Sequence, residues 1–218
     1  MRLSYLPLLL ATVTLVATCQ DPPQRPPQME EEDFLPANNR TRMVWQQPGV
    51  VIDAMGDIRE KVIADIGAGE GFFATRLAPY ADRVIAVEIT DSLINTLKTV
   101  RDLELPLNQR SRLDPRRALP DDPLLEDNEV DIILLVNTFM YIDHQVDYLK
   151  KLYPALRSDG RIVIVDWKRK DTPQGPPKNQ RMAIGRVEDL LREAGFHVVS
   201  SDDAALEFQY IVVADKIN

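Results

Sequence analysis

Val62-Ile63-Ala64-Asp65-Ile66-Gly67-Ala68-Gly69-Glu70-Gly71 decides the fold. A five-residue apolar stretch interrupted by one acid has the length and composition of a buried strand. Three glycines then alternate with other residues, and a helical pattern starts at Phe72. A second apolar run, Val84-Ile85-Ala86-Val87, closes on Glu88, with Ile89 next to it. The order is strand, glycine turn, helix, strand, acid, which is the plan of a nucleoside-cofactor site. Glycines let the backbone turn tightly and approach a ligand closely. An acid at the tip of the second strand can accept hydrogen bonds from ribose hydroxyls.

The glycine spacing discriminates between cofactors. A dinucleotide fingerprint reads G-x-G-x-x-G/A, with the pyrophosphate on a helix N-terminus. Here the pattern is G-x-G-x-G over Gly67, Gly69 and Gly71, and Phe72 occupies the place of the last small residue. The lysine that a P-loop requires is absent. Asp65 would oppose a pyrophosphate but suits a cationic amino-acid group. At these residues the chain resembles motif I of the class I S-adenosylmethionine-dependent methyltransferases, with Glu88 as the acid after the second strand. The resemblance implies S-adenosyl-L-methionine as cofactor, held by Asp65, Gly67, Gly69, Gly71, Glu88 and Ile89. It also implies a Rossmann-like, doubly wound, mostly parallel seven-stranded sheet with helices on both faces.

The rest of the chain alternates strand and helix signals, as a covered parallel sheet requires. A leading helix is expected from Pro48 to about Met55, since proline suits a first helical turn. Strand one is Val62–Ile66, followed by a helix over 71–80 with Phe73, Leu77 and Tyr80 on one face. Strand two covers 84–88. The next helix is capped by Asp91 or Ser92 and carries Leu93, Leu97 and Val100. Strand four covers 131–136, a helix 145–156, strand five 161–166 and a last helix 187–194. Two final strands over 196–200 and 208–214 form an edge hairpin. Strand three should lie between Leu103 and Leu113, but proline and polar residues leave that stretch without a strand pattern. Methyltransferases of this class often place an acid after strand three to receive the adenine amino group, and Asp114 is the best match, with Asp121 and Asp122 as rivals. The resemblance covers roughly residues 45–217.

Ligands bind beyond the carboxyl ends of parallel strands. Asn137, after strand four, is therefore expected near cofactor or acceptor. His144 could serve as a general base, because its ordinary pKa suits proton removal at neutral pH, although a histidine at a helix start is more often a surface or capping residue. Tyr141 is open to a functional and a structural reading alike, with core packing favoured. The loop after Asp166-Trp167-Lys168 is too rich in proline and glycine for a regular element and lies where a lid would sit.

Three segments divide the chain: a signal peptide over 1–18, a proline-rich acidic tether over 19–37, and a catalytic domain over 38–218. Arg2 precedes an apolar run from Leu3 to Val16 that is too short to span a bilayer. It ends at Val16-Ala17-Thr18-Cys19, and Cys19 is the chain's one cysteine. The arrangement resembles the lipobox of bacterial lipoproteins, with Thr18 a departure from the usual small residue. It implies export and membrane attachment through a lipidated Cys19, whereas a cofactor made in the cytoplasm argues for the cytoplasm. A net charge of −8 argues against a nucleic-acid substrate. No metal site is expected, and a domain without cysteine is unlike the thiol-rich arsenite methyltransferases.

The function implied is methyl transfer from S-adenosylmethionine to an acceptor, a small molecule on this reading. Two other classes stay open. One is a non-catalytic protein that binds S-adenosylmethionine or another nucleoside. The other is a dinucleotide-dependent oxidoreductase, which Phe72 and the glycine spacing disfavour.

Overall fold

Every residue of the strand β1 (Val62–Ile66) is buried, because helices cover both faces of the sheet it centres. The computed structural model describes residues 37–217. Seven strands form one sheet in the order β3-β2-β1-β4-β5-β7-β6. They are β1, β2 (Arg83–Glu88), β3 (Leu113–Arg117), β4 (Val130–Val136), β5 (Leu156–Trp167), β6 (Phe196–Asp202) and β7 (Gln209–Lys216). β1 to β5 pair in parallel, while β7 runs antiparallel to both β5 and β6. This is the expected doubly wound sheet with its terminal hairpin.

The helices are α1 (Ala37–Gln46), α2 (Pro48–Met55), α3 (Ala74–Leu77), α4 (Asp91–Glu104), α5 (Gln145–Ala155) and α6 (Ile184–Glu193). Val51 and Met55 of α2, Leu77 of α3 and Leu97 of α4 pack on one face with Ile63 and Val84. Leu149 and Leu152 of α5 and Leu190 of α6 pack on the other with Ala64, Ile85 and Ile133. The order in which strands are added reverses between β1 and β4, which are parallel neighbours in the sheet. The loops leaving their carboxyl ends diverge there and open the crevice in which such folds bind ligands.

Several expectations change. Strand three exists but starts at Leu113, where the searched window ends. Leu113 is its one buried residue; backbone pairing to β2, rather than apolar burial, makes it a strand. Pro115 is tolerated because β3 is a sheet edge. The helix after the glycine turn is regular only over Ala74–Leu77, and Tyr80 is exposed rather than packed. Ile94 joins Leu97 as the buried pair of α4 in place of Leu93 and Val100. Helix α1, which no pattern singled out, precedes α2. The expected signal segment, Cys19 and the tether up to residue 36 lie outside the described residues, while Ala37, expected as the last residue of the tether, begins α1. Among the described residues no helix is long and apolar enough to cross a membrane.

Candidate functional site

The glycine turn follows from backbone conformation. Gly67, Gly69 and Gly71 have φ of +73°, +59° and +88°, a region side chains resist. The Gly67 and Ala68 N–H groups both donate to the Val87 carbonyl, at 2.9 and 3.2 Å, and so pin the turn to β2. A Cβ on Gly67 would lie 2.4 Å from the Thr138 hydroxyl. At Gly69 nothing lies within 4 Å of a Cβ position, so that glycine faces open space. A Cβ on Gly71 would meet Leu97 at 3.1 Å. Gly71 therefore lets the turn pack on α4.

Glu88 organises this turn. It is buried, and its Oε1 accepts the Gly69 N–H at 2.7 Å while Oε2 accepts the Ile89 N–H at 2.9 Å. Each carboxylate oxygen can accept a further bond, so Glu88 can hold the turn and still receive hydroxyls. Asp65 is 3% exposed, and its Oδ2 has no hydrogen-bond partner. Burial pushes its carboxyl up to about 7, against the attraction of Arg42. An orphaned buried acceptor of this kind calls for a cation or donor from a ligand.

Three contiguous cavities occupy the crevice. The first, about 240 Å³, is mostly apolar and is lined by Gly67, Glu88, Ile89, Ala118, Tyr141 and Ile142 among others. The second, about 200 Å³, lies on the glycine turn between Asp65, Gly69, Phe73 and Arg42. The third, about 500 Å³, is bounded by Arg42, Trp45, Glu70, Tyr141, Trp167 and Gly175. Asn137 borders all three. It has φ +58°, its N–H donates to Val165 at 2.8 Å, and its Oδ1 accepts from Gln209. Gln209 is fully buried and accepts from Gln46 of α1 at 3.0 Å, so one chain of amides ties α1 to the crevice.

The loop after β5 closes the third cavity from above. Arg181 is 5% exposed and donates to the carbonyls of Pro176, Lys168, Lys170 and Gln174 at 2.8–3.1 Å. Trp167 stacks against Trp45 with centroids 5.0 Å apart. A Cβ on Gly175 would fall 2.6 Å from the Trp167 ring, so glycine lets the loop lie on the indole. Asp166 is buried, accepts the Met140 and Trp167 N–H groups, and is pushed up to about 6 by that burial.

Two expected site residues lie elsewhere. Asp114 stands in register with Ile85, short of the carboxyl end of β2, and forms ion pairs with Arg83 and Arg116. Arg116 also holds Glu129 at 2.8 Å, so Asp114 belongs to a charged edge network, and Ala118 and Pro120 border the first cavity instead. His144 is exposed in a left-handed conformation at the start of α5 and lines none of the three cavities. Tyr141, read as core, is 63% exposed and separates the first cavity from the third. Nothing local in the sequence marks Arg42 or Trp45, which line these cavities, or Gln209, which holds Asn137. Among the described residues no cluster of three or more histidine, cysteine or acidic side chains could hold a metal.

A parallel sheet with a glycine turn, an acid at the tip of the second strand and a buried carboxylate with an unpartnered oxygen at its switch point has the layout of a nucleoside-cofactor site. Residues 64–164 match the family model described as a methyltransferase domain. Uncharacterized methyltransferases of Mycobacterium tuberculosis and Mycobacterium bovis are each 26% identical over 146 residues, 67% of this chain and 56% of theirs. The chain thus spans about half the length of the curated relatives it matches. An S-adenosylmethionine-dependent methyltransferase of Aquifex aeolicus superposes with a TM-score of 0.74 at 22% identity, over 84% of this chain and all of that one. The [4+2]-cyclase SpnF superposes at 0.65 with 12% identity, over 78% and 80% of the two chains. The fold is shared throughout, and the cyclase shows that the fold alone does not name the reaction.

S-Adenosyl-L-methionine fits the residues present. The unpartnered Asp65 Oδ2 suits its ammonium, the open space at Gly69 admits a ligand, and Glu88 has acceptor capacity left for a ribose.

Proposed function

We propose that this chain is an S-adenosylmethionine-dependent methyltransferase acting on a small molecule seated in the cavity between α1 and the loop after β5. The observation that carries the reading is the buried Asp65 carboxylate beside the glycine turn, with Oδ2 unpartnered. An empty Rossmann-type turn needs no such group, and burying it costs stability.

When bound, the cofactor supplies an electrophilic methyl on a sulfonium, which an acceptor takes by in-line displacement. The chain's own residues bind, align and exclude water. Glu88 receives hydroxyls while holding the turn closed. Asp65 receives the ammonium. Asn137 and Tyr141 border both the nucleoside cavity and the acceptor cavity. Trp45 and Trp167 give the acceptor cavity an apolar wall, and the Arg181-tied loop keeps it covered.

Calorimetric titration with S-adenosylhomocysteine and, separately, with NAD tests the cofactor class. Saturable binding of the first and none of the second is expected; the reverse outcome ends the methyltransferase reading. Methyl transfer from labelled cofactor to small acceptors then separates an enzyme from a binder. The N-terminal sequence supports one further reading, that the protein is exported and anchored through a lipidated Cys19. Metabolic labelling with a fatty-acid analogue should mark the wild type and not Cys19→Ser; an unlabelled wild type in the soluble fraction would overturn it.

A further inference from the structure

We propose that Asn137 presents a fixed N–H donor at the point of methyl transfer, and that the acceptor is therefore an oxygen nucleophile, a carboxylate or hydroxyl on a small apolar ring system. The proposal rests on the methyltransferase reading above and names the substrate class that its acceptor cavity takes.

An amide side chain can stand either way round, and its partners decide which. Here the decision starts at Arg42, which has donors only. Its Nε donates to Gln46 Oε1, so Gln46 turns its Nε2 to Gln209. Gln209 receives that bond on Oε1 at 3.0 Å and turns its own Nε2 to Asn137 Oδ1. Gln46 and Gln209 are fully buried, and reversing either amide there would set donor against donor or acceptor against acceptor. Polarity is thus passed from α1 through β7 to the loop after β4. Asn137 ends the chain with Oδ1 committed to the interior and Nδ2 left over. Its backbone is pinned as well, at φ +58° with the N–H on the Val165 carbonyl. Among the described residues nothing accepts from that Nδ2. Asn137 also borders all three cavities. A methyl passing from the cofactor side to the acceptor side crosses where those cavities meet, so the free N–H group stands beside the reacting atom.

An atom that accepts this bond and also attacks a methyl carbon needs two lone pairs. Carboxylate and hydroxyl oxygens have them. A neutral amine nitrogen has one, which the bond to Asn137 would consume, and an ammonium has none. In the transfer one oxygen lone pair forms the new C–O bond while the methyl's bond to sulfur breaks and its electron pair stays on sulfur. A carboxylate has no proton to lose; a hydroxyl gives its proton to water. The Trp45–Trp167 pair and Pro176 supply an apolar wall, and about 500 Å³ leaves room for a bicyclic acceptor. Arg42 and Glu70 border that cavity with opposite charges, so an anion is not repelled from it.

The test puts three groups on one ring system: 2-naphthoate, 2-naphthol and 2-naphthylamine. With labelled S-adenosylmethionine, wild type should label an oxygen probe and leave the amine unlabelled; the oxygen probe that takes label tells carboxylate from hydroxyl. Asn137→Asp keeps the shape but offers an acceptor in place of the donor. Saturated with S-adenosylhomocysteine, it should bind 2-naphthoate ten- to a hundred-fold more weakly than wild type does by calorimetry, the range for a lost hydrogen bond to a charged group. It should also begin to label the amine. Gln209→Leu leaves Asn137 in place but frees its amide to turn, so this variant should label the amine too while S-adenosylhomocysteine binds as in wild type. Gln46→Leu should behave alike and guards against a folding defect peculiar to one variant. Label on the amine in wild type, no label on any probe, or an amine left unlabelled by all three variants overturns the proposal and leaves the cofactor reading intact. Wild type that fails to bind S-adenosylhomocysteine overturns both.

Discussion

Asp65→Asn should leave the unliganded protein more resistant to unfolding at pH 8 than the wild type, relative to its standing at pH 5. The reason is the position of the carboxyl, 3% exposed with one oxygen unpartnered and pushed up from 3.8 to about 7. In the folded protein Asp65 keeps its proton up to about pH 7; in the unfolded chain it loses it near 3.8. Between those values the unfolded state binds fewer protons, so stability falls as pH rises, and it is level above the folded value. Taken over the whole window, the shift corresponds to about 4 kcal/mol of order-of-magnitude cost. Asparagine removes this slope. Its own unpaired amide costs roughly 1–3 kcal/mol at every pH, which offsets the curve without tilting it. Asp166, pushed up to about 6, tilts both proteins alike and cancels in the difference. Urea unfolding at half-unit steps from pH 5 to 8.5 reads the effect. Ligand should reverse it, since an ammonium favours the ionised acid. S-Adenosylhomocysteine should therefore bind wild type more tightly as pH rises from 5 to 7, with a proton released, and bind Asp65→Asn weakly without that dependence. Parallel unfolding curves for the two proteins, or binding indifferent to both pH and the substitution, would refute the assignment.

Glu88→Ala should weaken S-adenosylhomocysteine binding ten- to a hundred-fold, because hydrogen bonds to charged groups are worth roughly 1.5–3 kcal/mol. It should also lower the melting temperature, since the Gly69 and Ile89 N–H groups lose their acceptor; unchanged affinity would remove Glu88 from the site. Gly67→Ala should destabilise more than Gly69→Ala in urea unfolding. Both carry the left-handed penalty of about 1–2 kcal/mol, but only the first drives a methyl to 2.4 Å from Thr138; an equal loss would contradict the packing described. His144→Ala should leave kcat and its pH profile within about twofold of wild type, because the exposed imidazole lines none of the three cavities described. A hundred-fold fall with the fold intact would restore His144 as a base.

Local order was legible from residue types because it depends on local physics. The run from Val62 to Ile66 reads as a buried strand through its composition, and Pro48 marks the start of α2, which ends at Met55 as expected. Gly67, Gly69 and Glu88 declare themselves by spacing, since a left-handed turn admits few residues and the acid that holds it closes the next strand. Asp65 is legible as the acid that precedes the turn, and the structure adds that it is buried with one oxygen unpartnered. What the sequence hides is everything set by the lateral order of strands. Asp114 is three residues from the end of β3, and only the β2–β3 register shows that this falls short of the crevice, among arginines. Arg42 and Gln46 carry no motif; they matter because α1 meets β1, the turn and β7. Gln46 reaches Gln209 across 163 residues of chain. Periodicity reports which way a side chain faces within its own element. It holds no record of which distant element lies opposite, and that meeting, made by burying both faces of the sheet, is what assembles the site.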